Sequence, residues 1–423
     1  MALVFDNRHN LQGKPGLHAL IAGVSRYRHL PGGGAPTSKE DWKLPQLTAT
    51  ALTAYKIYRW LVDRRDRLPR KLATVRLLLS PSDAEAQKIA EGMAEIRQAL
   101  ADSGATLQDI ASQCTLDNFT TEAVSWREDA SGDGTQDGVT FFYFAGHGIQ
   151  RKNNDPVLLP EDFANPNLPI LRNTITFNSL FDGMVPPPAN QPRIARTQLY
   201  FVDACRVIPP ELGIYQFTNV ADVLDARLGG VDDRTAPIFY GTVSNTKAYA
   251  KSGQQTLFSE ALLECLEGLA GTATDEVDEE GYARYCVTTA SLSAALIQKV
   301  AAVKALGVDQ EFYPTQRGRE APIVSLPKPP DVQCTLEIEP GTSAQLVAVE
   351  LADALGTPVP GWSLSPVHPH PHRGALRAGL YTLDAKVINP SQPFSIAPPR
   401  MIVNVQPLTG SRFKAIVKEK VVS

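Results

Sequence analysis

The sequence is short of the features that would settle several protein classes at once. It has no long run of Lys and Arg: 41 basic and 45 acidic side chains are interspersed over 423 residues, with a formal charge of −4 and a pI near 6.0. Phosphate binding relies on clustered cations, so nucleic acid is not an expected partner. It has no long apolar run either. Stretches such as Leu17–Val24 stop far short of the roughly 20 residues a spanning helix needs, so no membrane partner is expected. The opening residues M-A-L-V-F-D-N-R-H-N hold no apolar signal-peptide core. Cysteine is scarce: Cys114, Cys205, Cys265, Cys286 and Cys334 form no close pair and no C-x-x-C motif. An odd, scattered set reads as reduced thiols in a cytoplasm.

Hydrophobic content of 43% with charged content of 20% describes a globular chain, and the length suggests two domains. Apolar runs alternate with helical spacing over the first 300 or so residues. Strands are expected at 17–24, 73–79, 139–145, 197–203 and 237–243. Helices are expected at 47–62, 86–100, 117–126, 257–269 and 289–306. This alternation predicts an α/β domain, a mostly parallel sheet with helices on both faces, over residues 1–325. Pro-rich residues 326–330 read as a stiff linker. Beyond it, Val332, Cys334, Leu336 and Ile338 alternate with polar residues, and later stretches do the same. Residues 331–423 therefore read as a small antiparallel β-sandwich, an accessory domain. Cys265, Cys286 and Cys334 read as core residues.

Two short motifs follow two of the strongest strands: F-A-G-H-G at 144–148 and V-D-A-C-R at 202–206. In a parallel sheet, ligands gather at the carboxyl ends of strands. His147 and Cys205 each stand just past such an end. An imidazole beside a thiol supplies the base that makes sulfur nucleophilic. The flanking glycines allow a sharp turn and a close approach by a substrate carbonyl. The backbone N–H groups of Gly148 and Cys205 are the expected oxyanion hole. Alone, a His or a Cys at a strand end is usually structural. The pairing of the two motifs is far rarer. No residue in the sequence stands out as the group that orients the imidazole.

Taken with G-V-S-R-Y after the first strand, L-L-P-E-D at 158–162 and Y-G-T-V-S-N at 240–245, this ordered set resembles the bacterial caspase-like cysteine peptidases, relatives of caspases, metacaspases and paracaspases. Caspases carry Q-A-C-[RQG]-G with the His about 50 residues upstream; here D-A-C-R-V has its His about 60 residues upstream. The resemblance spans residues 17 to 325. It implies a caspase-like fold and an endopeptidase that cleaves protein substrates with a His147/Cys205 dyad and no metal or other cofactor. It also implies an activating protease or partner protein and a place in bacterial stress or defence signalling.

Residues two apart on a strand point the same way, so Asp203 projects to the side of Cys205. Paracaspases and metacaspases, which share an Asp at that offset, favour Arg or Lys before the scissile bond, and the resemblance implies a basic preference here. The sequence departs from them elsewhere. Residues 47–49 read Leu-Thr-Ala, and 244–247 read Ser-Asn-Thr-Lys, so Ser244 and Lys247 are the further pocket candidates, the latter a cation where a paracaspase has a carboxylate. The plainer reading of Asp203 is a carboxylate satisfied by loop N–H groups. The long connection at 206–236 matches the processing linker of caspase relatives, with Arg227 the favoured self-cleavage site and Arg234 the second.

His368-Pro-His-Pro-His372 invites a metal reading, but its prolines favour an extended loop and no Cys or acid lies nearby. Asp129, Asp133 and Asp137 lack EF-hand spacing. Two other functions stay open at this level: a catalytically silent caspase-like scaffold that acts by binding, and a metal-dependent hydrolase built on the C-terminal histidines.

Overall fold

The computed structural model describes the chain apart from residues 1, 40, 133, 152–154, 189–192, 211, 213–219, 221, 227–230, 244–253, 280, 306, 409–410 and 420–423. In chain order come β1 (Leu3–Asp6), β2 (Leu17–Val24), α1 (Thr50–Asp63), β3 (Leu72–Ser80), α2 (Asp83–Ala99), β4 (Thr106–Leu107) and α3 (Leu116–Asp129). Then follow β5 (Val139–Gly146), β6 (Gly148–Gln150), β7 (Pro156–Leu158), β8 (Ile175–Thr176), α4 (Phe177–Gly183), β9 (Thr197–Ala204) and β10 (Ile238–Tyr240). After them run α5 (Leu257–Glu264), β11 (Gly271–Val277), β12 (Ala283–Thr288), α6 (Thr289–Ala305), β13 (Tyr313–Thr315) and β14 (Pro322–Leu326).

The main sheet has the order β13-β10-β9-β5-β2-β3-β1-β4. Its five central strands are parallel, and antiparallel strands close both edges. β2, β3 and β5 are buried along their whole length, which is why they read as continuous apolar runs. Alternation along β5 sends Phe142 to one face, against Phe119 and Trp126 of α3, and Phe141 to the other, against Phe201. Each buried Phe contributes about 2 kcal/mol of hydrophobic stabilisation.

Long-range polar contacts fix the connections. Arg76 on β3 is buried and ion-paired with Glu122 and Asp129 of α3. The start of α1 has no local cap. Its orphan N–H groups at Thr50 and Ala51 donate to the Ser25 hydroxyl, and that of Leu52 donates to Glu85. Glu85 also completes a capping box with Ser82 at the start of α2.

The chain divides into two compact units: 1–264 with 292–324, and 265–291 with 325–423. The second unit contains β15 (Asp331–Glu339), β16 (Val347–Asp353), β17 (His372–Arg377), β18 (Gly379–Val387), β19 (Phe394–Ala397), β20 (Arg400–Val405) and β21 (Ser411–Glu419). Two sheets, β17-β15-β21-β19 and β16-β18-β20, enclose a core that includes Leu336, Val347, Leu383 and Phe413. The expected sandwich was wholly antiparallel; β15 and β21 instead pair in parallel, because the chain returns from β20 in the other sheet before entering β21. The β11–β12 hairpin belongs to this unit: Tyr285 joins its core, and the Tyr282 hydroxyl donates to Asp353 at 2.8 Å. His370 Nε2 accepts the Ile338 N–H at 2.9 Å, and His372 packs edge-on against Trp362, so two of the three clustered histidines have local structural contacts. Among the described residues no helix is long and apolar enough to cross a membrane.

Candidate active site

β5 and β9 are adjacent parallel strands, paired in register up to Gly146 opposite Ala204. The next residue on one is His147 and on the other Cys205. The two loops then run together, with the Gln150 N–H donating to the Val207 carbonyl at 2.9 Å. Gly148 is required by this closeness: a Cβ there would lie 2.7 Å from the Cys205 carbonyl oxygen and 2.8 Å from Ala204 Cβ. Gly148→Ala must push the loops apart, at the cost of about 1–3 kcal/mol that overpacking typically exacts. A lower denaturant midpoint together with slower peptide cleavage is the expected result; an unchanged midpoint would show that the loops can yield freely.

His147 is held at two points. Its backbone N–H donates to the Tyr27 hydroxyl at 2.6 Å, and the two rings lie 4.9 Å apart. Its Nε2 lies 2.7 Å from the Pro45 carbonyl oxygen. A carbonyl only accepts, so Nε2 carries the proton and Nδ1 keeps the lone pair. Burial pushes the imidazole below its ordinary value of 6.5, against the smaller opposing pull of the Pro45 carbonyl, so the ring is neutral at neutral pH. Cys205 is half-buried and in no disulfide, whereas the other four cysteines are buried. Neither Pro45 nor Tyr27 was assigned a role from sequence. A carbonyl is offered by every residue, so Pro45 carries no signal, and Tyr27 lay unremarked within G-V-S-R-Y.

Asp203 is buried on the face of β9 that also carries Phe201. One carboxylate oxygen, Oδ2, accepts the Tyr143 hydroxyl at 2.9 Å and the Thr256 hydroxyl. The other, Oδ1, has no hydrogen-bond partner among the described residues. It faces Gly241, where an added Cβ would come within 3.2 Å of it. Loop N–H groups, the plainer expectation, are not what satisfies this carboxylate. Burial drives its pKa up to about 6 despite the two hydroxyl donors.

Other candidates lie elsewhere or stand outside the description. Arg206 is buried with its guanidinium 4.2 Å from the Tyr240 ring centre. Arg234 has a fully buried side chain: it donates to Asp232, to the Phe181 carbonyl and to Gln198, and stacks over the Phe181 ring. As a self-cleavage site it is therefore poorly placed, because no peptidase pocket reaches that guanidinium unless the segment opens. Arg227, Ser244 and Lys247 lie outside the described residues.

A family model described as the caspase domain matches residues 85–298, a span that includes both His147 and Cys205. The chain belongs to the caspase-domain family of peptidases, and the main sheet with its flanking helices is a caspase-like fold. It is similar to an uncharacterized protein of Sinorhizobium fredii, 27% identical over 53% of this chain and 62% of that protein. It is also similar to a probable protease of a Desulfuromonadales bacterium, 26% identical over 51% of this chain and 27% of that protein. The chain thus covers less than two thirds of either relative. Among solved structures, a protein from Geobacter sulfurreducens aligns at 14% identity over 74% of this chain and 98% of that chain, with a TM-score of 0.36. Caspase-1 from Spodoptera frugiperda aligns at 14% identity over 72% and 87%, with a TM-score of 0.31.

Proposed function

We propose that the chain is a cysteine endopeptidase that cleaves protein substrates after a basic residue, with His147 as general base and Cys205 as nucleophile. The observation that carries this reading is the register of β5 and β9, which puts both residues one step beyond a paired position at the carboxyl end of the sheet. The tautomer favoured by Pro45 leaves Nδ1 as the basic nitrogen. Since burial keeps the ring neutral, the thiol proton passes to Nδ1 as sulfur attacks the scissile carbonyl. The resulting oxyanion takes the N–H groups of Gly148 and Cys205. The imidazolium then protonates the leaving amine, and water hydrolyses the thioester. The basic preference rests on Asp203, whose buried Oδ1 has no hydrogen-bond partner among the described residues and would be satisfied by a substrate cation that reaches it. Self-processing after Arg227, in the long connection beyond Cys205, belongs to the same reading. A Cys205-dependent fragment ending there, seen by mass spectrometry, is the expected sign. The experiment that tests the whole is a set of fluorogenic peptides differing only at the residue before the scissile bond, assayed with wild type beside Cys205→Ala.

A pH dependence follows from Asp203. Only its ionised form attracts a cation, and its pKa is about 6. The kcat/KM for an Arg peptide, which reports the free enzyme, should therefore fall as pH drops through about 6. Burial also lowers the His147 imidazole from its ordinary 6.5, so it is the Asp203→Asn variant that assigns this limb. Asp203→Asn should abolish the limb near 6 while leaving a lower, flatter profile. A limb that survives unchanged in Asp203→Asn would assign it to another group.

A further inference from the structure

The two contacts that hold His147 come from different parts of one loop, and a single side-chain amide joins them. Gln46 Oε1 accepts the Tyr27 N–H at 2.7 Å. Its Nε2 donates to the Tyr27 carbonyl at 2.9 Å and the Pro31 carbonyl at 3.1 Å, with the Leu30 carbonyl at 3.4 Å. Tyr27 is the residue whose hydroxyl fixes the His147 backbone, and Pro45, next to Gln46 in the chain, fixes its ring. On the other side of Gln46, the Leu47 N–H donates to the Ser25 carbonyl at 2.8 Å. The approach to Pro45 passes through Trp42 and Lys43, both with left-handed backbone (φ 48° and 54°), a conformation that non-glycine residues hold only when their surroundings impose it. Trp42 is anchored there on Phe163, with ring centres 5.3 Å apart. Through these contacts the half-buried Gln46 ties the segment that carries the Pro45 carbonyl to the backbone of Tyr27.

We infer that Gln46 is a positioning residue for the general base, acting through Pro45 and Tyr27 to fix the tautomer and orientation of His147. This rests on the dyad reading above. Without the amide, the Pro45 carbonyl is free to shift, and the ring it holds loses its fixed orientation. A displacement of about 1 Å in a catalytic group costs up to a hundredfold in rate.

The test pairs peptide cleavage with alkylation of Cys205 by iodoacetamide across pH, in wild type, His147→Ala, Gln46→Ala and Gln46→Glu. Alkylation reads Cys205 selectively, since the other four cysteines are buried. Gln46→Ala should lower kcat about tenfold to a hundredfold with KM within about twofold. It should also move the alkylation profile toward that of His147→Ala. Gln46→Glu keeps the acceptor for Tyr27 but loses the amide donors; it should regain activity relative to wild type as pH falls and its carboxyl becomes a donor. This second variant, with a melting curve for each, guards against simple misfolding. If Gln46→Ala matches wild type in kcat and profile while His147→Ala departs from it, the inference is overturned and the dyad stands. A lower melting temperature with an unchanged alkylation profile would make Gln46 a structural staple only, and likewise overturn it. If His147→Ala itself alkylates and cleaves as wild type does, the dyad reading falls and the inference falls with it.

Discussion

Cys205→Ala and His147→Ala should each lower peptide cleavage by at least about 1,000-fold, and the double variant should be little worse than either. The non-additivity follows from chemistry. A thiol without its base is a poor nucleophile at neutral pH, and a base without its thiol has nothing to activate. Neither change should unfold the chain. Cys205 is half-buried beyond the end of β9, and its shortening removes little core. His147 is buried, but among the described residues its ring hydrogen-bonds to the exposed-loop carbonyl of Pro45. Melting curves near that of wild type, beside lost activity, are the expected pair of readings. Cleavage retained by Cys205→Ala would contradict the assignment of the nucleophile. Loss of activity only in step with loss of fold would leave a scaffold as the better account of both residues.

Asp203→Ala should depress cleavage after Arg at least about a hundredfold, with far less effect on peptides bearing a neutral residue there. Breaking a buried charge pair by removing one partner costs about 3–5 kcal/mol, and each 1.4 kcal/mol or so is tenfold in rate. Arg should be preferred over Lys, since a planar fork meets a carboxylate better than a point charge does. Lys247→Glu should maintain or raise cleavage after Arg. Faster wild-type cleavage after a neutral or acidic residue than after Arg would rule out the basic preference.

The same carboxyl links pH to stability. Its folded pKa is raised, so the neutral form is the one the fold favours. Asp203 therefore penalises the fold increasingly as pH rises from the unfolded value of about 4 through 6, by roughly 3 kcal/mol in full. Asp203→Asn, which keeps an acceptor for Tyr143 and Thr256, should gain stability over wild type at pH 8 and lose that gain at pH 4. Equal denaturant midpoints at both pH values would mean that solvent reaches the carboxylate.

The sequence made much of this legible where burial is complete. V-T-F-F-Y-F-A announced β5 because both its faces are covered, and the same holds for β2 and β9. Helices α1 to α3 showed through their apolar spacing, although the capping of α1 by Ser25 and Glu85 comes from residues far away in the chain. The helix expected at 257–269 is α-helical over Leu257–Glu264 and π-helical over Cys265–Leu269, where Gly268 takes φ 140°. The alternation around Cys286 reads as the strand that β12 is, but its hairpin partner β11 does not show, because G-T-A-T-D-E-V carries two acids and little apolar alternation. At the site, side chains with chemistry of their own were visible: His147, Cys205 and Asp203. What stayed hidden were the groups that act by position. The Pro45 carbonyl, the Gln46 amide and the Thr256 hydroxyl gain meaning only when folding brings them to His147, Tyr27 and Asp203.

The most direct measurement of the central claim is covalent labelling with an arginyl chloromethyl ketone, mapped by mass spectrometry of peptides from the intact protein. Such a reagent is drawn in by a pocket for a basic side chain and captured by an activated thiol beside it. The account predicts a single modified residue, Cys205, with labelling strongly slowed in His147→Ala and in Asp203→Ala while iodoacetamide still reaches Cys205 in the latter. Labelling spread over other residues, or at Cys205 with a rate indifferent to His147, would contradict it.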